Sequence, residues 1–225
     1  MPRSSVYRLW AYKDDFIDDL LCYLAGAGSW FSTRPAHDPE TADLVTSVLA
    51  DNSHLLATPE GRRALLREVV RISVTRNYQL LSESVHWRLH TALIATLGST
   101  RSGQARRKIA AALEEAQAVS RNSMVELFDL LAGVLGLRLR DPARTAEQMQ
   151  LAGGLLVQGM AQRNVQVRTA MGATERVVHV NELLNAPLPG PGLNGEPAQW
   201  SLAAFGYLGV LEAFVELDPD FVPEA

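Results

Sequence analysis

The side chains best suited to chemistry stand together at the start of the chain. They share groups that bind phosphate or read bases, and they are Arg3, Ser4, Ser5, Tyr7, Arg8 and Lys13. Serine and tyrosine hydroxyls donate hydrogen bonds to phosphate oxygens, and an arginine reads guanine through two parallel hydrogen bonds. The lysine stands at the predicted start of a helix, where backbone amides also attract phosphate. This combination favours contact with a DNA duplex.

The same residue types also occur on ordinary protein surfaces. Serines, arginines and a tyrosine near a chain terminus need no partner other than water. Taken alone, a short polar helix is explained more often as solvent-exposed surface than as a nucleic-acid contact. The next residues along the chain, from Lys13 to Phe16, therefore decide between the two interpretations.

Other candidate sites carry less chemistry. His86 and His90 share a helix face at i, i+4, but the metal-protease pattern and an evident third ligand are missing from the sequence. Cys22 in an apolar helix is typical of a buried, inert thiol. Gly153 and Gly154 fall inside a helical pattern without a phosphate-loop fingerprint. We therefore predict no metal, no cofactor and no enzymatic activity.

Length and composition limit the classes of protein that remain. The chain has 225 residues, of which 47% are hydrophobic, and a net charge of −4. This suits one large domain, or a small domain joined to a larger one, and the mild acidity excludes nucleic acid coating the whole chain. A single cysteine is typical of a reducing compartment. Charged residues interrupt any signal-peptide core or membrane span, so we expect a cytoplasmic protein that does not enter membranes.

Helical periodicity dominates the sequence and predicts an all-α fold, whereas no strand is predicted. The predicted helices span residues 4–10, 13–25, 39–56, 59–97, 104–137, 145–163, 177–184 and 200–217. The helical segment 59–97 is either one bent helix or two, with 73–77 as its softest stretch. Glycines and prolines make residues 187–197 a predicted loop.

Residues 6–16 resemble the recognition helix and following helix of the tetracycline-repressor (TetR) family of transcriptional regulators. The matching positions are Val6, Tyr7, Trp10, Lys13 and Phe16, at the family's spacing. Leu9 departs from the pattern, because the family often has histidine there. The resemblance covers eleven positions, and it extends only loosely to the rest of the chain.

The resemblance implies a regulator, a repressor in most such proteins, that acts as a homodimer and responds to a ligand. It implies part of a helix-turn-helix over residues 1–25 and a larger ligand-binding and dimerisation domain over residues 26–225. Two further helices precede the recognition helix in that family. We therefore expect the natural product to begin upstream of Met1, and the operator affinity of this 225-residue form to be weak.

The resemblance also suggests where a ligand and a second chain would bind. Amphipathic and aromatic side chains in long helices are the candidate lining of a pocket for an apolar or amphipathic small molecule: Tyr78, Trp87, His90, Met124, Phe128 and Met160. Small and apolar positions of two late helices are the candidate dimer interface: Ala152, Leu156, Gly159, Tyr207, Leu208 and Leu211. Plain core packing is the simpler explanation of the pocket residues and of the stripe that contains Tyr207, Leu208 and Leu211.

Two other functions stay open. A helical small-molecule-binding or dimerisation protein without a DNA role has the same composition and periodicity. An all-α enzyme is a third possibility, although the sequence offers it no catalytic constellation. In-frame upstream coding sequence separates the first two, because a basic, capped pair of helices there favours the regulator.

Overall fold

The computed structural model describes residues 9, 10, 12–26, 38–99 and 103–223. Within these ranges the protein is mostly helical, as the periodicity predicts. The helices are α1 (Lys13–Gly26), α2 (Pro39–Asp51), α3 (Pro59–Glu83), α4 (Val85–Thr96), α5 (Gly103–Leu135), α6 (Ala146–Thr169), α7 (Glu175–Asn185) and α8 (Leu202–Phe214). Short 3-10 helices span Ser53–Ala57 and Leu193–Gly195. None of the described helices is long and apolar enough to cross a membrane.

Four short strands interrupt the helices, which corrects the expectation that no strand would form. They are β1 (Leu137–Leu139), β2 (Leu188–Pro191), β3 (Pro197–Trp200) and β4 (Val215–Leu217). β1 pairs with β4 and β2 pairs with β3, both antiparallel. Strands of three or four residues are too short to show an alternating pattern, so periodicity does not reveal them.

The chain forms two compact units, each with its own packing. The small unit comprises residues 1–34 and 85–120, and the large unit comprises residues 35–84 and 121–225. α4 and the first half of α5 therefore belong with α1, a grouping that the sequence does not indicate. The functional division predicted at residues 25 and 26 stays a prediction.

The core of the small unit joins α1, α4 and α5. Its buried side chains are Ala25, Leu93, Ile109 and Leu113. Leu21, Cys22 and Leu24 pack against them from α1 at helical spacing, which fixes the inner face of that helix. Asp14 and Asp15 stand in the first turn of α1, where carboxylates stabilise the positive end of the helix dipole.

α3 is the central helix of the large unit and packs against α2, α6 and α8. Local sequence signals define its start, because Thr58 accepts a hydrogen bond from the Gly61 amide and Pro59 occupies the first turn. Thr145 and Gln148 form a reciprocal capping box at the start of α6. Buried side chains from α3, α6, α8 and β3 fill the core, including Leu65, Val69, Met149, Val157, Trp200 and Ala204.

The break in the predicted 59–97 segment falls at Ser84, not within residues 73–77. Ser84 has an extended backbone (φ −66°, ψ 121°), and its amide still donates to the Leu80 carbonyl, which ends α3. The β-branched run that suggests a soft stretch stays helical because Val74 and Tyr78 are buried in the core. Tertiary packing overrides the weak local propensity there.

Candidate functional site

The predicted DNA contacts lie at the edge of the described structure. Arg3, Ser4, Ser5, Tyr7 and Arg8 fall outside the described residues. Lys13 is the first residue of α1, and its side chain is exposed. The Lys13 ammonium group therefore stands at the N-terminus of α1, next to the carboxylates of Asp14 and Asp15 in the same turn.

Trp10 is anchored to α1 by two contacts. Its indole Nε1 donates a hydrogen bond to Asp19 Oδ2 at 2.8 Å. Its ring also meets the Phe16 ring edge to face, with centroids 5.1 Å apart and planes at 79°. Two of the five residues that carry the family resemblance are therefore in contact, and they attach the chain before Lys13 to the helix after it. The sequence does not indicate the role of Asp19.

The outer face of α1 is apolar and exposed to solvent. Tyr12 and Tyr23 are 74% and 71% exposed, and Phe16 and Leu20 are also exposed. These residues follow one another at i, i+4, i+8 and i+11, so they form one stripe along the helix. Four aspartates, Asp14, Asp15, Asp18 and Asp19, lie beside this stripe, so it covers only part of the exposed side of α1. An apolar stripe of this kind, opposite a face that packs in the core, is suited to contact with a further element.

A cleft of about 330 Å³ lies in the small unit between α1 and the start of α5. Its lining residues are Leu9, Trp10, Asp15, Asp18, Asp19, Cys22, Gln104, Ala105 and Lys108. Burial raises the pKa of the Cys22 thiol, although the charge of Lys108 lowers it. Among the described residues, no group of three or more His, Cys, Asp or Glu side chains is arranged to hold a metal ion.

The six predicted pocket residues are divided between the two units. Trp87 and His90 are in the small unit, and the other four are in the large unit. His90 is buried and stacks on Trp87 with ring centroids 5.3 Å apart. The distance from His90 Nε2 to the side-chain amide nitrogen of Gln117 is 3.2 Å. Burial lowers the pKa of His90, which favours the neutral ring. This pair therefore packs like core residues.

In the large unit, Tyr78 is the predicted pocket residue with a polar environment. It is buried, and its hydroxyl donates to Asn185 Oδ1 at 3.3 Å. Asn185 Nδ2 in turn donates to Asn164 Oδ1 at 3.0 Å. Phe128 is buried, whereas Met124 and Met160 are half-buried. The Tyr78 cluster thus joins α3, α6 and α7 through neutral hydrogen bonds, and sequence spacing does not reveal it.

The predicted dimer residues separate into two groups. Tyr207, Leu208 and Leu211 are buried within the single chain, which favours a role in the core. Tyr207 also donates a hydrogen bond to Gln150 on α6 at 2.8 Å. Ala152 and Gly159 are exposed, and Leu156 is half-buried. The predicted interface is therefore reduced to the outer side of α6 and its neighbours.

The exposed surface of α6 and α8 combines small and large apolar residues. We name it the α6–α8 face, and it comprises Leu151, Ala152, Leu155, Gly159, Phe205 and Gly209. Leu155 is 60% exposed and Phe205 is 49% exposed. The two helices approach closely, because a Cβ at Gly206 would lie 3.3 Å from Leu156 Cδ2. Small residues beside exposed apolar ones are suited to close packing with another helix pair.

Comparison of the chain with protein-family models, with curated proteins and with solved structures found no match.

Proposed function

We propose that this chain is a homodimeric DNA-binding transcriptional regulator, a repressor whose affinity for its operator changes when a small ligand binds. The similarity of residues 6–16 to the recognition segment of tetracycline-repressor-type regulators supports the DNA-binding part of this proposal. Trp10 and Phe16, two positions of that similarity, are in contact. The helix-turn-helix assignment of residues 1–25 and the larger domain assignment of residues 26–225 belong to the same proposal.

The observation that carries the proposal is the apolar outer face of α1. In a complete helix-turn-helix domain, further helices cover the helix that follows the recognition helix. Tyr12, Phe16, Leu20 and Tyr23 present such a face next to the recognition segment. The proposal therefore expects further helices to pack on this stripe, and we call the chain together with any in-frame residues upstream of Met1 the extended chain.

The α6–α8 face is the proposed dimer interface. Two recognition helices must reach successive major grooves, about 34 Å apart, and a two-fold axis through a helical interface sets that spacing. Exposed Leu155 and Phe205 supply the apolar area, and Ala152 and Gly159 allow close approach. A ligand that favours one spacing of the recognition helices over another would shift operator affinity.

A second candidate function is a helical dimerisation or small-molecule-binding protein without DNA. The α6–α8 face favours it as much as it favours the regulator, because that surface implies a partner chain and says nothing of nucleic acid. The two functions differ in the role of residues 1–25, so the decisive experiment concerns that segment.

Selection from a random double-stranded DNA library is the test. The extended chain is expected to enrich a two-fold symmetric sequence. Lys13→Ala in the extended chain should weaken binding almost uniformly across sequences, since a phosphate contact carries no base information. Glu182→Ala, an exposed change on α7, is the control. Absence of any enriched sequence would leave the second candidate.

A further inference from the structure

α7 is the least firmly packed of the helices that the structure describes in the large unit. None of its residues is buried, and its inner side consists of Val177, Val180, Asn181 and Leu184, all half-buried. It packs mainly against α6. α6 itself buries seven residues along its length. Segments with few buried apolar contacts open locally at lower free energy than the rest of a domain.

Hydrogen bonds from one side chain attach the end of α7 to the domain. Asn185 Nδ2 donates to Asn164 Oδ1 at 3.0 Å, and Asn185 Oδ1 accepts from the Tyr78 hydroxyl at 3.3 Å. The same Nδ2 lies 3.0 Å from the Asn181 carbonyl oxygen, within α7. Asn185 is exposed, whereas Tyr78 and Asn164 are buried. The carboxamide of Asn185 therefore covers the polar ends of two buried side chains.

The two buried groups are complementary to a carboxamide. Tyr78 offers an O–H donor, and burial raises the pKa of its hydroxyl, so the group stays protonated at neutral pH. Asn164 offers an acceptor oxygen to the N–H of Asn185. With α7 displaced, both groups would lose Asn185, although the Tyr78 hydroxyl also interacts with the Ser82 and Asn164 side chains. A neutral ligand with adjacent carbonyl and N–H groups fits both positions that Asn185 leaves, whereas a carboxylate has no N–H to donate to Asn164.

The connection before α7 is able to turn. Gly172 has a φ of +83°, in the left-handed region that glycine adopts without strain, and no atom lies within 4 Å of a Cβ built there. At the other end, Ala186 has an extended backbone and precedes Pro187, which confines it to that conformation. A hinge for α7 therefore falls at Gly172 and not at Ala186.

We propose that α7 is a lid, latched by the Asn185 carboxamide over Tyr78 and Asn164, and that it opens to admit a neutral ligand whose carboxamide takes the place of the Asn185 side chain. Tyr78 is one of the predicted pocket residues, so the lid would control ligand access in the proposed regulator. Only this role in regulation rests on the proposed function. The geometry of the latch stands independently of any DNA contact.

Hydrogen–deuterium exchange of the full chain tests the latch without DNA. In Asn185→Ala, amides of residues 175–185 should exchange roughly tenfold faster, because two hydrogen bonds to buried groups are lost, while residues 202–214 keep their protection. Alanine is the better helix former, so a change in helix propensity alone would slow exchange. His179→Ala, an exposed polar position on the same helix, is the matched control. Equal exchange in both variants overturns the latch.

A second measurement tests the ligand class. Benzamide and acetamide at millimolar concentration should accelerate exchange of residues 175–185, and benzoate and acetate at the same concentration should not. Tyr78→Phe, which keeps the ring and removes the hydroxyl, should abolish the response to the amides. No acceleration by either amide, or equal acceleration by the carboxylates, overturns the carboxamide site. Failure to bind DNA would instead overturn the proposed function and leave these results unchanged.

Discussion

Replacing Gly153 by alanine tests the packing between α6 and α8 at its closest point. A Cβ at this position would meet the Tyr207 ring, at 2.7 Å from Cδ2 and closer still to Cε2. Contacts this short do not occur between non-bonded carbon atoms, so the ring or the helix must move. The ring is buried, and its hydroxyl donates to Gln150, one turn before Gly153 on α6. Tyr207 therefore cannot retreat without losing that hydrogen bond.

Two opposing effects set the expected magnitude. Gly to Ala in a helix interior stabilises by about 1 kcal/mol, and forcing extra volume into a packed core costs about 1–3 kcal/mol. Gly154 provides the matched control, because it neighbours Gly153 in the same helix and no atom lies within 4 Å of a Cβ built there. The gain in helix propensity is common to both variants. The difference in stability between them, about 1–3 kcal/mol, therefore measures the steric cost.

Urea unfolding followed by far-ultraviolet circular dichroism is the assay. Gly154→Ala should be more stable than the parent protein, and Gly153→Ala less stable than Gly154→Ala by the stated difference. In a Tyr207→Leu background the two alanine variants should become equal, because the ring that causes the clash is gone. If Gly153→Ala is as stable as Gly154→Ala in the parent background, the close packing of Tyr207 on α6 is wrong.

Two further predictions concern the α6–α8 face and alkaline pH. Leu155→Glu should weaken self-association at least a hundredfold, measured by sedimentation equilibrium, since a dimer would lose two buried leucines at about 1.5–3 kcal/mol each. Leu183→Glu, at an exposed position on α7, should leave self-association unchanged. If Leu155→Glu dimerises with the affinity of the parent protein, the α6–α8 face is not the interface. Burial raises the pKa of Tyr207 to about 12, above its unfolded value near 10, so the contribution of this hydroxyl to stability should be complete below pH 10 and be lost as pH rises toward 12. Tyr207→Phe should flatten that fall, and an identical pH profile would contradict the burial of this hydroxyl.

Local signals in the sequence predict the starts of several helices correctly. Pro59 after Thr58, and Thr145 before an acidic first turn, define the starts of α3 and α6 because capping needs only neighbouring residues. The end of α3 at Ser84 has no such signal, since Val74 and Tyr78 keep the β-branched stretch helical through contacts with distant residues. Local signals also miss the β2–β3 hairpin, where they predict a loop. Its strands are held by pairing and by buried Trp200, whose indole donates to the Pro191 carbonyl.

The sequence predicts which types of residue contribute to the candidate site better than it predicts how those residues are arranged. The periodicity of α8 identifies an apolar stripe, but burial assigns Tyr207, Leu208 and Leu211 to the interior and leaves Phe205 outside. The hydrogen bonds of Asp19 to Trp10 and of Asn185 to Tyr78 join residues far apart in sequence or on different helices. A single sequence contains no signal for such pairs, because their partners are set by the packing of whole helices.

Binding stoichiometry and footprint on the selected DNA test the central claim most directly. For the extended chain, we expect two chains on one duplex, protecting two half-sites about one helical turn apart. We also expect affinity that falls steeply with salt, with a slope reduced by about two for a dimer of Lys13→Ala. One chain on an asymmetric site, or affinity independent of salt and of Lys13, would contradict the assignment of this protein as a homodimeric DNA-binding regulator.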